Sequence, residues 1–200
     1  MSNVLERLKS LCDPEKPPIL DQVWRVKRNG APWLMATNGH AFLVLPSDES
    51  ADPAPSSIEQ VLRVVEQDHA RLARPMAWAP IAKFMRTDVT MVCNDCNGEG
   101  KAHCSGCNNT GRCNDCNGVG RIPRPPERVR FLGAVLDRVL FTKYATGLDA
   151  DSVRVSVDGE LGPITLEREG EWLLCVMPTR HDKSDEKRGY KIRATFEASP

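Results

Sequence analysis

The chain has 200 residues, enough for one ordinary domain with an insertion or for two small domains. Apolar residues make up 40% and charged residues 27%, an ordinary globular balance. The 27 basic side chains equal the 27 acidic ones, so overall charge selects no partner and only its distribution can. Met1 to Lys9 carries Glu6, Arg7 and Lys9 and has no apolar core of signal-peptide length. No run approaches the roughly 18 apolar residues of a membrane helix. The expected location is therefore the cytoplasm, where thiols stay reduced, with no membrane partner.

In chain order, the first element is a short amphipathic segment with Val4, Leu5, Leu8 and Leu11 on one helical face. Pro14, Pro17 and Pro18 break it. Three strand-like runs follow, Gln22–Arg28, Pro32–Thr37 and His40–Leu45, separated by Asn29-Gly30 and Asn38-Gly39. Asn-Gly between β-prone runs is a strong hairpin signal, because the turn residues must tolerate positive φ. This meander stops at Pro46. A Ser/Pro-rich acidic linker, Ser47–Ser57, leads to a predicted helix over Ile58–Arg74, with Ser56 or Ser57 as cap and Ile58, Val61, Leu62, Val65 and His69 on one face. His69 reads as a surface or boundary residue. A Thr87–Val92 strand enters a cysteine-rich stretch.

Beyond that stretch the opening plan repeats. Phe131, Val135, Leu136, Val139 and Leu140 predict an amphipathic helix from about Glu127 to Tyr144. Three more strands are expected at Ser152–Val157, Leu161–Glu167 and Glu171–Met177, with turns at Asp158-Gly159 and Glu169-Gly170. The last ends at Pro178, as the first meander ends at Pro46. A charged tail, Arg180–Arg188, precedes a final strand at Tyr190–Phe196.

The middle stretch holds six of the eight cysteines as three CxxC pairs: Cys93/Cys96, Cys104/Cys107 and Cys113/Cys116. Each pair opens a CxxCxGxG unit, with Asn109 replacing one glycine. Two thiolates separated by two residues grip one tetrahedral zinc from a single tight turn. The glycines let the chain double back so that backbone amides approach the sulfurs. In a reducing compartment this spacing reads as metal ligation. The shared string Cys-Asn-Asp-Cys-Asn-Gly in the outer units points to one site made by Cys93, Cys96, Cys113 and Cys116. A second zinc on Cys104 and Cys107 would need two more ligands; His103 is the nearest candidate and otherwise reads as a solvated loop residue. Cys12 and Cys175 fall on apolar segments and read as core thiols. The repeat resembles the cysteine-rich domain of DnaJ-type co-chaperones, which carries four such repeats around two zincs. With three repeats and no His-Pro-Asp, the resemblance implies the zinc geometry and not the co-chaperone activity.

The outer parts resemble one domain of the bacterial DNA polymerase sliding clamp, which is built from two helix-plus-meander halves. The segment Ala36-Thr-Asn-Gly-His40 is similar to that family's Ala-Thr-Asp-Gly-His, and Val176-Met-Pro-Thr-Arg180 to its Val-Met-Pro-Met-Arg terminus. The resemblance implies an α+β fold in which 1–92 and 121–200 are clamp-like halves and 93–120 is an inserted zinc module. It also implies replication proteins as partners, with a partner-binding pocket beside that terminus, and self-association, since family clamps close into a ring of six domains. Ala41 departs from the family's basic residue, and the chain runs some 20 residues past the usual terminus. A variant this compact would suit a phage or mobile element.

Charge is uneven along the chain. Arg121, Arg124, Arg128, Arg130, Arg138 and Lys143 face only Glu127 and Asp137 between positions 121 and 143, which makes them candidate phosphate contacts for DNA. No Walker loop, Ser/His/Asp spacing or paired-carboxylate context suggests an enzyme. The expected function is a non-enzymatic, zinc-binding accessory factor in DNA replication or DNA metabolism. A protein-interaction module that binds or mimics a replication clamp, and a zinc-dependent holdase, are the alternatives.

Overall fold

The structure is a computed structural model that describes residues 4–12, 17, 19–20, 22–103 (of residue 103 the backbone alone), 110–179 and 191–197. Its first helix, α1 (Val4–Lys9), buries Leu8, with Leu11 just beyond it. The first meander is β1 (Trp24–Arg28), β2 (Ala31–Thr37) and β3 (Ala41–Pro46). Asn29 and Gly30 have φ of 51° and 78°, the double positive φ that a two-residue hairpin turn requires. At the next turn Gly39 has φ 83°, and the Asn38 side chain accepts hydrogen bonds from the amides of His40 and Ala41. The linker forms β4 (Asp52–Pro53), parallel to β1.

Helix α2 (Ser56–Leu72) starts two residues before the predicted Ile58 and buries Ile58, Leu62, Val65 and His69. Its N-cap is Pro55 with no side-chain hydrogen bond, so Ser56 and Ser57 sit inside the first turn and do not cap it. The helix stops at Leu72 because Arg74 already belongs to β5 (Arg74–Ala77), which runs directly into α3 (Trp78–Met85). Neither β5 nor α3 was expected from sequence.

The cysteine-rich stretch is framed by β6 (Thr90–Val92), β7 (Lys101–His103), β8 (Thr110–Arg112) and β9 (Arg121–Pro123). The long helix expected from Glu127 is mostly absent. In its place are the hairpin β10 (Arg128–Phe131) and β11 (Ala134–Asp137), then a short α4 (Arg138–Ala145). Leu132 and Gly133, with φ of 49° and 97°, form the two-residue turn. Val129 and Phe131 alternate with Arg128 and Arg130, a period of two that wins over the helical spacing. Asp137 caps α4 through its Oδ1, which accepts from the amides of Val139 and Leu140. Asp137→Ala is therefore expected to lower stability by about 1 kcal/mol, read as a shift in the urea midpoint at unchanged slope.

The second meander is β12 (Ser152–Val157), β13 (Ile164–Arg168) and β14 (Trp172–Val176), and β15 (Thr195–Phe196) pairs in parallel with β10. The segment Arg180–Tyr190 lies outside the described residues. Antiparallel pairing of β3 with β14 fuses the two meanders into one sheet of eight strands, ordered β4-β1-β2-β3-β14-β13-β12-β5. Leu34, Leu43, Leu174 and Val176 face α1, α3 and α4 in the larger core. Met35, Val44, Leu173 and Cys175 face the other way and pack on Ile58, Leu62 and Val65 of α2. No helix among the described residues is long and apolar enough to cross a membrane.

Candidate functional site

The strand pairs β6–β9 and β7–β8 hold the two outer cysteine units against each other. The Sγ atoms of Cys93, Cys96, Cys113 and Cys116 all lie within 4.8 Å of one another, and all four residues are buried. Cys93 and Cys113 are 3.8 Å apart and Cys96 and Cys116 3.6 Å. A tetrahedral zinc with Zn–S bonds of about 2.3 Å needs sulfur–sulfur edges of about 3.8 Å, so the donor set fits a four-thiolate metal. Cys104, Cys107 and the His103 side chain lie outside the described residues.

The local backbone explains the fit. Asn97 and Gly98 have φ of 49° and 88°, and Asn117 and Gly118 have 50° and 80°. Each knuckle thus makes the same left-handed turn. The turn brings the Gly100 amide to Cys96 Sγ at 3.3 Å and the Gly120 amide to Cys116 Sγ at 3.2 Å. The knuckles also bond reciprocally: Cys93 N donates to Gly120 O, and Cys113 N to Gly100 O. A Cβ at Gly100 would lie 2.2 Å from Gly118 O, and one at Gly120 would lie 2.1 Å from Gly98 O. Gly100→Ala must therefore push the knuckles apart. The expected result is faster metal loss to a chelator, followed with a colorimetric zinc indicator.

Burial pushes the Cys93 thiol up to about 12. At Cys116 burial also acts to raise the thiol, but the Gly120 amide leads a set of hydrogen bonds that bring it down to about 7. Metal binding displaces such protons, so affinity rises with pH. Asp95 and Asp115 are equivalent acids in the two knuckles, and the proximity of Asp95 raises the Asp115 carboxyl.

Cys175 is fully buried, and burial lifts its thiol to about 12, as fits a core residue. Cys12 is half-buried against the same core as Leu8. His69, expected near the surface, is instead buried between α2 and the sheet, at 3% exposure. Its Nδ1 is 2.8 Å from Ser156 Oγ. Its Nε2 is 3.3 Å from Glu167 Oε2 but out of line for a hydrogen bond. Arg28 lies over the Trp33 ring and bonds both Glu66 and Glu167. Sequence spacing gave no sign of this Ser156–His69–Glu167 connectivity, because it joins α2 to two separate strands. Ser156 is 5% exposed beneath α2, which closes it to a substrate.

The six basic residues expected to meet DNA are spread over several elements. Arg121 bonds Thr90, Arg124 bonds the Asp88 carbonyl, and Arg138 pairs with Glu127. Arg128 and Arg130 share one face of β10, and Lys143 is exposed on α4.

Asn38, His40, Leu140, Met177 and Pro178 line one cavity of about 520 Å³. The Met177 amide donates to the His40 carbonyl at 2.7 Å, which locks the two turns together there.

The fold and site define a mixed α+β protein with a buried four-cysteine, metal-type centre. Its structure is similar to those of solved bacterial DNA polymerase III beta subunits, the sliding clamps. The Borrelia burgdorferi subunit, solved with a natural product, matches at a TM-score of 0.43 and 10% identity, over 88% of this chain and 62% of that one. The Thermotoga maritima subunit gives 0.44 and 10%, over 90% and 64%. The Bacillus subtilis sliding clamp gives 0.39 and 11%, over 88% and 62%. This chain thus spans less than two thirds of each. No family model and no curated protein matches the sequence.

Proposed function

We propose that the chain is a non-enzymatic, zinc-binding accessory factor in DNA replication or DNA metabolism. In this reading residues 1–92 and 121–200 are the two halves of a sliding-clamp-like domain, and 93–120 is an inserted structural zinc module. One observation carries it. The two segments that resemble clamp sequences, Asn38–His40 and Met177–Pro178, are about 140 residues apart, yet they meet at one cavity. That cavity would take a short apolar segment of a replication protein. A zinc held by four thiolates has no open position for water, which supports a structural metal over a hydrolytic one. Duplex DNA is the second partner, met by Lys143 on α4 and by Arg128 and Arg130 on β10. The chain acts in a reducing compartment such as the cytoplasm and self-associates.

Native mass spectrometry of protein purified without chelator tests zinc and assembly together. It is expected to give at least one zinc per chain and a multimer. A zinc-free, fully folded protein would overturn the metal assignment. Titration of a labelled duplex at several salt concentrations tests the DNA partner, with binding that weakens steeply as salt rises. No binding even at low salt would remove DNA from the reading.

A further inference from the structure

The two knuckles belong to one longer repeat. Thr90–His103 and Thr110–Pro123 align without a gap and are identical at eight positions, and each runs strand, knuckle, strand. The reciprocal bonds between the knuckles relate the copies by an approximate two-fold. That symmetry creates two equivalent strand pairs, β7–β8 and β6–β9, each joining the strand leaving one knuckle to the strand entering the other. Their surfaces differ. At β7–β8 a cleft of about 560 Å³ is lined by Glu99, Lys101, Thr110, Arg112 and Asn117. The positions equivalent to Arg112 and Glu99 around the other pair are Val92 and Val119, 48% and 72% exposed. There Arg121, the equivalent of Lys101, is bound by Thr90.

In the charged cleft, Lys101 and Arg112 are directly opposed in register, and both are exposed. Like charges in a cross-strand pair repel, a cost that an anion between them would reverse. The Lys101 side chain makes no hydrogen bond or ion pair among the described residues. Ala102 packs on the cysteine cluster, so strand alternation turns Lys101 away from the metal centre. Arg112 folds back to donate to Asn117 O, which fixes its guanidinium at the cleft wall. A Cβ at Gly111 would meet nothing within 4 Å, so the glycine leaves the cleft floor open. With Glu99 at the rim the cleft keeps a net positive charge. No aromatic side chain lines it to stack on a base.

We infer that this cleft is a phosphate-binding contact for duplex DNA, with Lys101 and Arg112 as its cations and the Thr110 hydroxyl as a neutral donor. It rests on the reading of the chain as a DNA-associated factor. It adds a contact on the zinc module, apart from the basic residues of β10 and α4.

The test is the salt dependence of duplex binding for the full chain and for K101Q/R112Q. Each phosphate contact contributes about 0.9 to the slope of log K against log salt, so the variant should lose about 1.8. Between 1 M and 0.1 M salt that slope difference amounts to roughly 60-fold weaker binding at the lower concentration. The charge-keeping pair K101R/R112K should retain the slope, which separates charge from packing. A K101Q/R112Q variant with the parent slope overturns the inference and leaves the DNA reading standing. A parent chain with no DNA affinity at any salt overturns both. Binding of a Glu-rich peptide that the variant abolishes, with DNA affinity untouched, assigns the cleft to a protein and overturns the inference.

Discussion

Chelation of the proposed metal is expected to unfold residues 90–103 and 110–123 and leave the eight-stranded sheet standing. The four cysteines form a cluster of their own, with only Ala102 and Ile122 packed against it. So small an apolar set cannot offset the conformational entropy of ordering some thirty residues. Structural zinc supplies about 10–16 kcal/mol to peptides of this kind, and that binding energy is their folding energy. The larger domain depends on two other cores, one on each face of the sheet, which share no residue with the cysteine cluster. Hydrogen exchange after chelation should therefore be regional. The Cys113 and Gly120 amides, bonded to Gly100 O and Cys116 Sγ, should lose protection, while those of β2, β3, β13 and β14 keep theirs. Cys113→Ser should reproduce the pattern. Equal protection with and without metal would mean that the module does not need it.

The second large effect is acid sensitivity centred on Glu167. Its contact with His69, set against burial and joined by the guanidinium of Arg28, holds its carboxyl at about 2. An unfolded glutamate titrates near 4.3. The folded value is depressed, so the stabilisation is fully present above the unfolded value and is lost as pH falls through about 2. Discounted for solvent screening, it amounts to on the order of 1–2 kcal/mol at neutral pH. Glu167→Gln removes it and strips Arg28, itself 7% exposed, of one of its two carboxylate partners. Urea unfolding of both proteins at pH 7, 4 and 2.5 gives the answer. The stability difference should be largest at pH 7 and shrink toward zero at the acid end. A difference independent of pH would show that the Glu167 charge is not what stabilises the fold.

How much of this was legible in the sequence depended on whether the signal was local. Asn29-Gly30 announces its own turn, because few other residue pairs accept two positive φ angles in succession. The outer cysteine units are legible for the same reason, since their repeated Asn-Gly-x-Gly dictates the left-handed turn that aims amides at sulfur. The β10–β11 hairpin was missed because Phe131, Val135, Leu136, Val139 and Leu140 also satisfy a helical spacing, and its turn is Leu132-Gly133 rather than Asn-Gly. Pro75 disguised β5, since proline argues against a strand except at a sheet edge, where β5 lies. The burial of His69 could not be read locally at all. Its partners Ser156 and Glu167 come from the second meander, 87 and 98 positions further along the chain.

The ends of the large sheet carry a consequence for assembly. Its outermost strands are β4, two residues long, and β5, four residues long, and each contains a proline, Pro53 and Pro75. A proline has no amide to offer, and strands this short present almost no ladder to an incoming backbone. Both come from the single stretch between the two meanders, which therefore acts as a selvedge, finishing the fabric on both sides. Lateral growth of this sheet by strand addition, the usual route to fibrils, is therefore disfavoured at both of its ends.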